Sequence, residues 1–507
     1  MMRVQKVALA IGIVVLIAGL ARPGIPAAAQ ELSPETGICD GAICGPSGAF
    51  TAASFPTLTE IAWGAFPANP PRPYTPARQA LYVAVNGDDS NAGTADAPFA
   101  TLMHAVEVAQ PGDVIWVADG EYRVGGADYY EGLALETAGV TLAAQNVGGV
   151  TLVPADPYTQ VGIEARADDL IIDGFVIRGF ASVGIEFGRT TSPPQRNLVL
   201  KHLRVEQVEE GIRAAYDGGG QPITDGLLVY DVWLRDITGI AMQCGEGPCN
   251  NMRWEAVRVE MPTGDTGNSG LDGLAVESGD NVVVFNAEVS GASADGIDLK
   301  STHSAVANVI VHDVGRNGIK LWRGGDVINA LVCNTDADAA LVFETGASYR
   351  VLNTIVARHS WGESAYAMTV AYDNPDQPGR LEIINSVFYQ YSGAIWVSPA
   401  FELDVQNSVF FGSANGQELI WGDVVIGEDE SPVSALESSG GGAHNLGFLD
   451  PGFTDAAARD YTWNPDSPLF DTGTDAGGIL PGFDLYGRPR VVGTAVDVSP
   501  WEIQPAP

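Results

Sequence analysis

The chain has 507 residues, with 63 Asp and Glu against 26 Lys and Arg, for a formal net charge of -37. A phosphate footprint needs clustered Lys and Arg, so nucleic acid is excluded as a partner. With 46% hydrophobic residues and 61 Gly, the chain buries a large core and turns often, which excludes bulk disorder.

Residues 1–30 place Arg3 and Lys6 ahead of the apolar run Val7 to Ala21, followed by Pro23, Pro26 and Ala27-Ala28-Ala29. That is the three-part pattern of a cleaved secretory signal, and the apolar run is short for a bilayer span. The expectation is a secreted protein, extracellular or at the cell surface, with no membrane span after cleavage. Residues 31–80 are Pro-rich without a sustained period and read as an irregular N-terminal segment. Among the five cysteines, Cys39 with Cys44 and Cys244 with Cys249 form two close pairs, read as local disulfides in an oxidising compartment. Cys333 lies in an apolar run and reads as a buried thiol.

Order begins near Leu81. Tyr82-Val83-Ala84-Val85 alternates as a strand into the turn Asn86-Gly87-Asp88-Asp89, and Phe99, Leu102, Met103 and Val106 follow at helical spacing. Pro111-Gly112-Asp113 stops that helix, and Val114 to Val117 is the next strand. From there a short unit repeats, in which Gly precedes an apolar-x-apolar strand, beginning at Gly162, Gly184, Gly211, Gly239, Gly273, Gly296 and Gly318, and more weakly at Ala340. Each interval holds a second apolar strand, such as Val306-Ala307-Asn308-Val309-Ile310. A unit this short cannot bury its apolar side alone, so successive turns must stack into one continuous core. Leucine-rich repeats share the period but need a Leu-x-x-Leu-x-Leu frame and an Asn column that the units lack. The fold class is therefore all-β, a right-handed parallel β-helix over 81–505, with the helix near Phe99 capping its N-terminal end and a C-terminal cap over about 445–505.

The opening, Tyr82 to Thr94 with Pro98-Phe99-Ala100-Thr101, Pro111-Gly112-Asp113 and Gly120-Glu121-Tyr122, resembles that of β-helix proteins of the pectate-lyase-like superfamily. The end, Asp450-Pro451-Gly452-Phe453, Ser467-Pro468, Asp484 to Arg490 and Asp497, resembles the closing segment of secreted bacterial members.

Strand side chains alternate, so residues one and three after each Gly point inward and those two and four after it point outward. Stacked at about 4.8 Å, equivalent outward residues of neighbouring units touch. The outward columns read Ala275, Asp298, Lys320 and Glu277, Lys300, Trp322, with Asp272, Asp295, Asn317 before the glycines. The chain holds only Lys6, Lys201, Lys300 and Lys320, so two of three lysines beyond the signal share one patch. Carboxylates beside a lysine suit removal of the proton alpha to a uronate carboxylate, followed by β-elimination, with calcium held by the carboxylates and a lysine base. The two lysines are expected to depress each other's pKa. The plainer reading is an ion pair between Asp298 and Lys320, with Asp-Gly and Asn-Gly as turns.

Asp272-Gly273 and Asp295-Gly296-Ile297-Asp298-Leu299 resemble the calcium frame of family nine pectate lyases, with Ala294 where that family has a further aspartate. The resemblance implies Asp272, Asp295 and Asp298 as Ca2+ ligands and a lysine base, for which Lys320 is the candidate. Leu299-Lys300-Ser301 with Leu321-Trp322-Arg323-Gly324 resembles family six alginate and dermatan lyases, implying Lys300 as base and Arg323 as its helper. Trp322, Glu277 and Asn317 are the candidate substrate-binding residues, with Trp361 and Trp396 further along. The expected partner is an acidic polysaccharide such as pectate, bound by a monomer. The alternatives are a hydrolase of the galacturonase kind using Asp295 with Asp298, and a non-catalytic carbohydrate-binding or cell-surface solenoid.

Overall fold

The computed structural model describes residues 78–503, apart from 126–131, 191–192, 216–220, 246, 263–269, 336–338, 358–365, 392, 415, 428–430, 465, 481, 483 and 486–487. Residues 1–77, which hold the segment read as a signal, most of the Pro-rich extension, and Cys39 and Cys44, lie outside the described residues, as does Trp361; the last residue of that extension, Ala80, begins the first strand.

Nearly every described strand pairs in parallel with its counterpart one coil along, which makes the molecule a right-handed parallel β-helix with three sheets. In the glycine-led sheet, Ile297 pairs with Ile319, then Leu341, Met368, Ile395 and Leu419. In the second sheet Val306 pairs with Val327, Val351, Ile383 and Val405. In the third, Val311 pairs with Val332, Val356, Phe388 and Phe410. All of these point inward and are fully buried. The leading glycine is a packing requirement: a Cβ on Gly296 would lie 2.7 Å from the Gly318 carbonyl oxygen and 2.4 Å from a Val311 methyl. One unit is framed differently from its sequence reading. Ile212 pairs with Met242, so Ala241, not Gly239, takes the leading position there. The column then runs on through Ala367 and Ala394, small enough to serve where glycine does not recur.

Between the second and third sheets the chain bends at one left-handed residue per coil. His202, Asp231, Ala256, Asn286, Asn308, Asn329, Asn353, Asn385 and Asn407 all have φ between 47 and 55°. The run Val306 to Ile310 is thus two strands hinged at Asn308 rather than one. Asparagine tolerates this conformation and stacks its amide on the next coil, as Asn329 does on Asn308 at 2.8 Å.

The helix Leu102–Val108 packs Leu102 and Ala105 into the core at the N-terminal end, its start fixed by the Thr101 hydroxyl accepting from His104 N. Asp89 in the preceding turn accepts from the Ala100 and Thr101 amides. Residues 450–503 lie along the outside of the coils. Ala476, Leu480 and Val496 cover the outward column Phe285, Ala307, Ile328, Leu352 and Ile384, and Tyr461, Trp463 and Trp501 cover the third sheet. Cys333 is buried in that second contact, and burial pushes its thiol up to about 12. Cys244 and Cys249 form a disulfide. Among the described residues no helix is long and apolar enough to cross a membrane.

Candidate functional site

The glycine-led sheet carries an outward polar column of Glu164, Glu186, Arg213, Gln243, Ala275, Asp298 and Lys320. Its last three members match the sequence reading; the first four were missed, although Glu164, Glu186 and Arg213 stand two after their own glycines. The column is recessed. Asp298 is 4% exposed and Lys320 9%, because longer side chains fold over them. Lys201, the remaining lysine, is buried beside Asp173 and belongs to another sheet.

The residues before the glycines form a second ladder. Asp272 Oδ1 accepts from Asp295 N at 3.0 Å, and Asp295 Oδ1 from Asn317 N and Nδ2 at 3.2 and 2.7 Å. Asn317 Oδ1 in turn accepts from Ala339 N. Asn317 is therefore committed to holding the turn, with its amide spent on Asp295. Burial pushes the Asp272 carboxyl up to about 7, and repulsion from Asp295 and Asp298 adds to it. Burial likewise raises Asp298 to about 6, against the opposing charge of Lys300.

The column four after the glycines is broken by a bulge. Lys300 and Ser301 together face Trp322, since the register shifts between Leu299 and Thr302. Lys300 consequently reaches back to Glu277 at 2.6 Å and to Asp298 at 3.6 Å, while Trp322 turns over Asp298 and donates its Nε1 hydrogen to Oδ1 at 2.8 Å. Lys320 pairs with Glu344 at 3.1 Å, a partner absent from the sequence reading. Both ammoniums lie over the Trp322 ring, at 4.7 Å for Lys320 and 5.3 Å for Lys300.

Two expectations are corrected. Burial alone would lower Lys300, but its bond to Glu277 and the charges of Asp298, Glu277 and Asp272 outweigh that and raise it, so the neighbouring lysine does not free it as a base. Arg323 falls beyond the bulge, opposite Thr302, where left-handed bends at His303 and Gly324 carry the chain onto the second sheet. There it lines a separate cleft with His303, Asp326, Tyr349, Arg350 and Arg380, away from both lysines. His303 pairs with Asp280, and His312 with Glu288 and Asp313, on other sheets.

The donors of Asp272, Asp295 and Asp298 are all carboxylate oxygens, which is what calcium takes, and a cation there would relieve the repulsion that raises Asp272. In chemistry the residues fit that ion. Among the described residues no three acidic, His or Cys side chains converge as a metal centre, and one oxygen of each of these aspartates is already engaged, by Asp295 N, Asn317 or Trp322. Beside Lys320 opens a cleft of about 340 Å³, bordered by Asn317, Glu344, Tyr366, Thr369 and Tyr372.

The family described as "Protein of unknown function (DUF1565)" matches residues 85–131, a stretch that includes the opening turn, the capping helix and the two strands after it. No curated protein sequence matches the chain. Among solved structures, the chain is similar to the pectate lyase Pel9A, at 13% identity over 84% of this chain and 96% of that one, with a TM-score of 0.44. It is similar to an alginate lyase from Paenibacillus sp. at 15% identity, over 62% and 98% of the two chains, with a TM-score of 0.37. A mannuronan C-5 epimerase module from Azotobacter vinelandii gives 14% identity over 57% and 87%, also with a TM-score of 0.37.

Proposed function

We propose that this face acts on an acidic polysaccharide, cleaving a uronate chain such as pectate by β-elimination, with Lys320 as the base. The observation that carries the reading is the position of Lys320: its ammonium borders an open cleft and stands next to Asp298 in the outward column of the glycine-led sheet. Lys300 is the poorer candidate because it reaches back to Glu277 and Asp298 and does not border the cleft. In the reaction Lys320, deprotonated, takes the proton alpha to the uronate carboxylate. The bond from the beta carbon to the glycosidic oxygen breaks, that oxygen takes a proton from water, an unsaturated sugar remains, and Lys320 returns its proton to solvent. Asp272, Asp295 and Asp298 would hold calcium, which when bound neutralises the substrate carboxylate and acidifies the adjacent C–H. Lys300 and Glu277 fix the orientation of Asp298, and Trp322 closes one side against water. The Cys244–Cys249 disulfide agrees with an exported protein.

The test is ultraviolet absorbance of unsaturated products during incubation with polygalacturonate, alginate and dermatan sulfate, with calcium and with chelator. A calcium-dependent rise on one polymer is expected, and Lys320→Ala should lower its rate by about 10³-fold, the scale of a general base; the protein should stay folded, with a lower melting temperature because Glu344 and Asp298 lose a buried cation. Reducing ends without that absorbance would mean hydrolysis, and binding without products would mean a carbohydrate-binding solenoid.

A further inference from the structure

The column of Asp298 and Lys320 continues through Val342 and Thr369 to Trp396. Three steps of about 4.8 Å put Trp396 about 14 Å from Lys320 along the helix axis. Val342 and Thr369 are small, so the chain between the two ends forms a trough, the floor of the cleft beside Lys320. At its far end stands Tyr372, 51% exposed, one of the few large apolar groups that the described surface leaves open. Its ring is held edge-on by Trp396 at 4.9 Å and flanked by Tyr366 at 5.9 Å. A half-exposed ring propped by two others is a rigid surface that loses little freedom when it is covered. The charges along the trough balance, Arg316 and Lys320 against Glu344 and Asp373, so the trough offers no net field to capture an ion. What it offers is an aromatic face in line with the proposed base.

We propose that Tyr372, supported by Trp396 and Tyr366, is a saccharide subsite that stacks the apolar C–H face of a pyranose ring. The ring would belong to the same polymer, a few sugar units from the one at Lys320, so the polymer lies along the helix axis toward the C-terminal coils. This rests on the reading of the Lys320 face as a polysaccharide site. The consequence is chain-length selectivity: an oligosaccharide long enough to span the trough gains the aromatic contact, and a short one does not.

The test is calorimetric binding of a disaccharide and of a long oligogalacturonate to the Lys320→Ala protein, with and without Tyr372→Ala or Tyr372→Phe. Tyr372→Ala should weaken the long ligand roughly tenfold, the scale of one aromatic contact, and leave the disaccharide unchanged, while Tyr372→Phe restores the long ligand. Equal binding by all three proteins, equal weakening at both lengths, or no binding at any length would overturn the subsite. If the length effect holds while the parent protein forms no unsaturated product from any polymer, the subsite stands and the lyase reading falls. Products without a length effect give the converse.

Discussion

Trp322 makes three contacts at once in the candidate site. Its indole hydrogen satisfies the buried Asp298 carboxylate, and its ring faces both lysine ammoniums. Trp322→Phe keeps a ring for the cations and removes only the donor. Leaving a buried carboxylate one hydrogen bond short costs about 1–3 kcal/mol, so thermal melting should show a loss of that order. Turnover on the preferred polymer should fall about tenfold by the same arithmetic. Trp322→Leu removes the ring as well and should be worse in both respects. Melting and rate unchanged in Trp322→Phe would show that the bond to Asp298 does no work. The identity of this residue as part of the patch was legible from spacing, and so was the stacking of Asp298 under Lys320. The roles were not. A bulge that sets two residues against one leaves no mark on the spacing of the glycines, yet it sends Lys300 back to Glu277, folds Trp322 over Asp298 and removes Arg323 to another sheet.

The β-helix was legible in the sequence because glycine and the apolar pair after it recur once per coil, and both are dictated by close packing between coils. Its corners were not, because asparagine in a left-handed bend looks like a polar interruption of an apolar strand. Nor was the course of residues 450–503, whose partners are distant in sequence: Asn353 Nδ2 donates to the Asp497 and Ser499 carbonyls, Asn385 Nδ2 to Thr474 and Asn407 Nδ2 to Thr472. The end of that segment is knotted around Arg490, buried and bonded to the Ser499 and Pro500 carbonyls and to Glu502. Asp484 and Asp497 crowd the same guanidinium. Burial raises the Glu502 carboxyl from its ordinary 4.5 to about 8, with the Arg490 charge opposing and Asp497 adding to the rise. A carboxyl that keeps its proton longer folded than unfolded makes the folded state the better proton binder between those two values. The docked segment should therefore be fully stabilised below 4.5, lose that contribution as pH rises, and level off above about 8. Melting of the parent should decline across that window, and Glu502→Gln, which has nothing there to titrate, should give a flatter curve. Parallel curves would place the pH dependence elsewhere in the molecule.

At the scale of the whole molecule the dominant fact is the chain's net charge of -37. Stacked coils lie about 4.8 Å apart, so the excess of acidic over basic side chains is packed well inside the roughly 10 Å screening length of ordinary buffers. Self-repulsion of that kind favours the expanded state, and screening it should stabilise the fold: melting temperature should rise with sodium chloride. An anionic polysaccharide meets the same field, and cations must intervene before it can reach Lys320. Calcium can act in two ways here, by screening everywhere or by occupying the carboxylates of Asp272, Asp295 and Asp298, and the two are separable. At matched ionic strength, calcium chloride should raise the melting temperature beyond sodium chloride. Occupancy at ten times the dissociation constant is worth about 1.4 kcal/mol, an extra shift of about 1–3 °C for a domain of this size or somewhat smaller. Asp272→Asn with Asp298→Asn should erase that excess and leave the sodium response intact. A calcium excess that survives the double substitution would move the ion away from those carboxylates, and with it the acidifying role proposed there. No excess in the parent protein would leave calcium as a screening ion, and the elimination chemistry would then have to draw its positive charge from Lys300, since Lys320 acts as the neutral base.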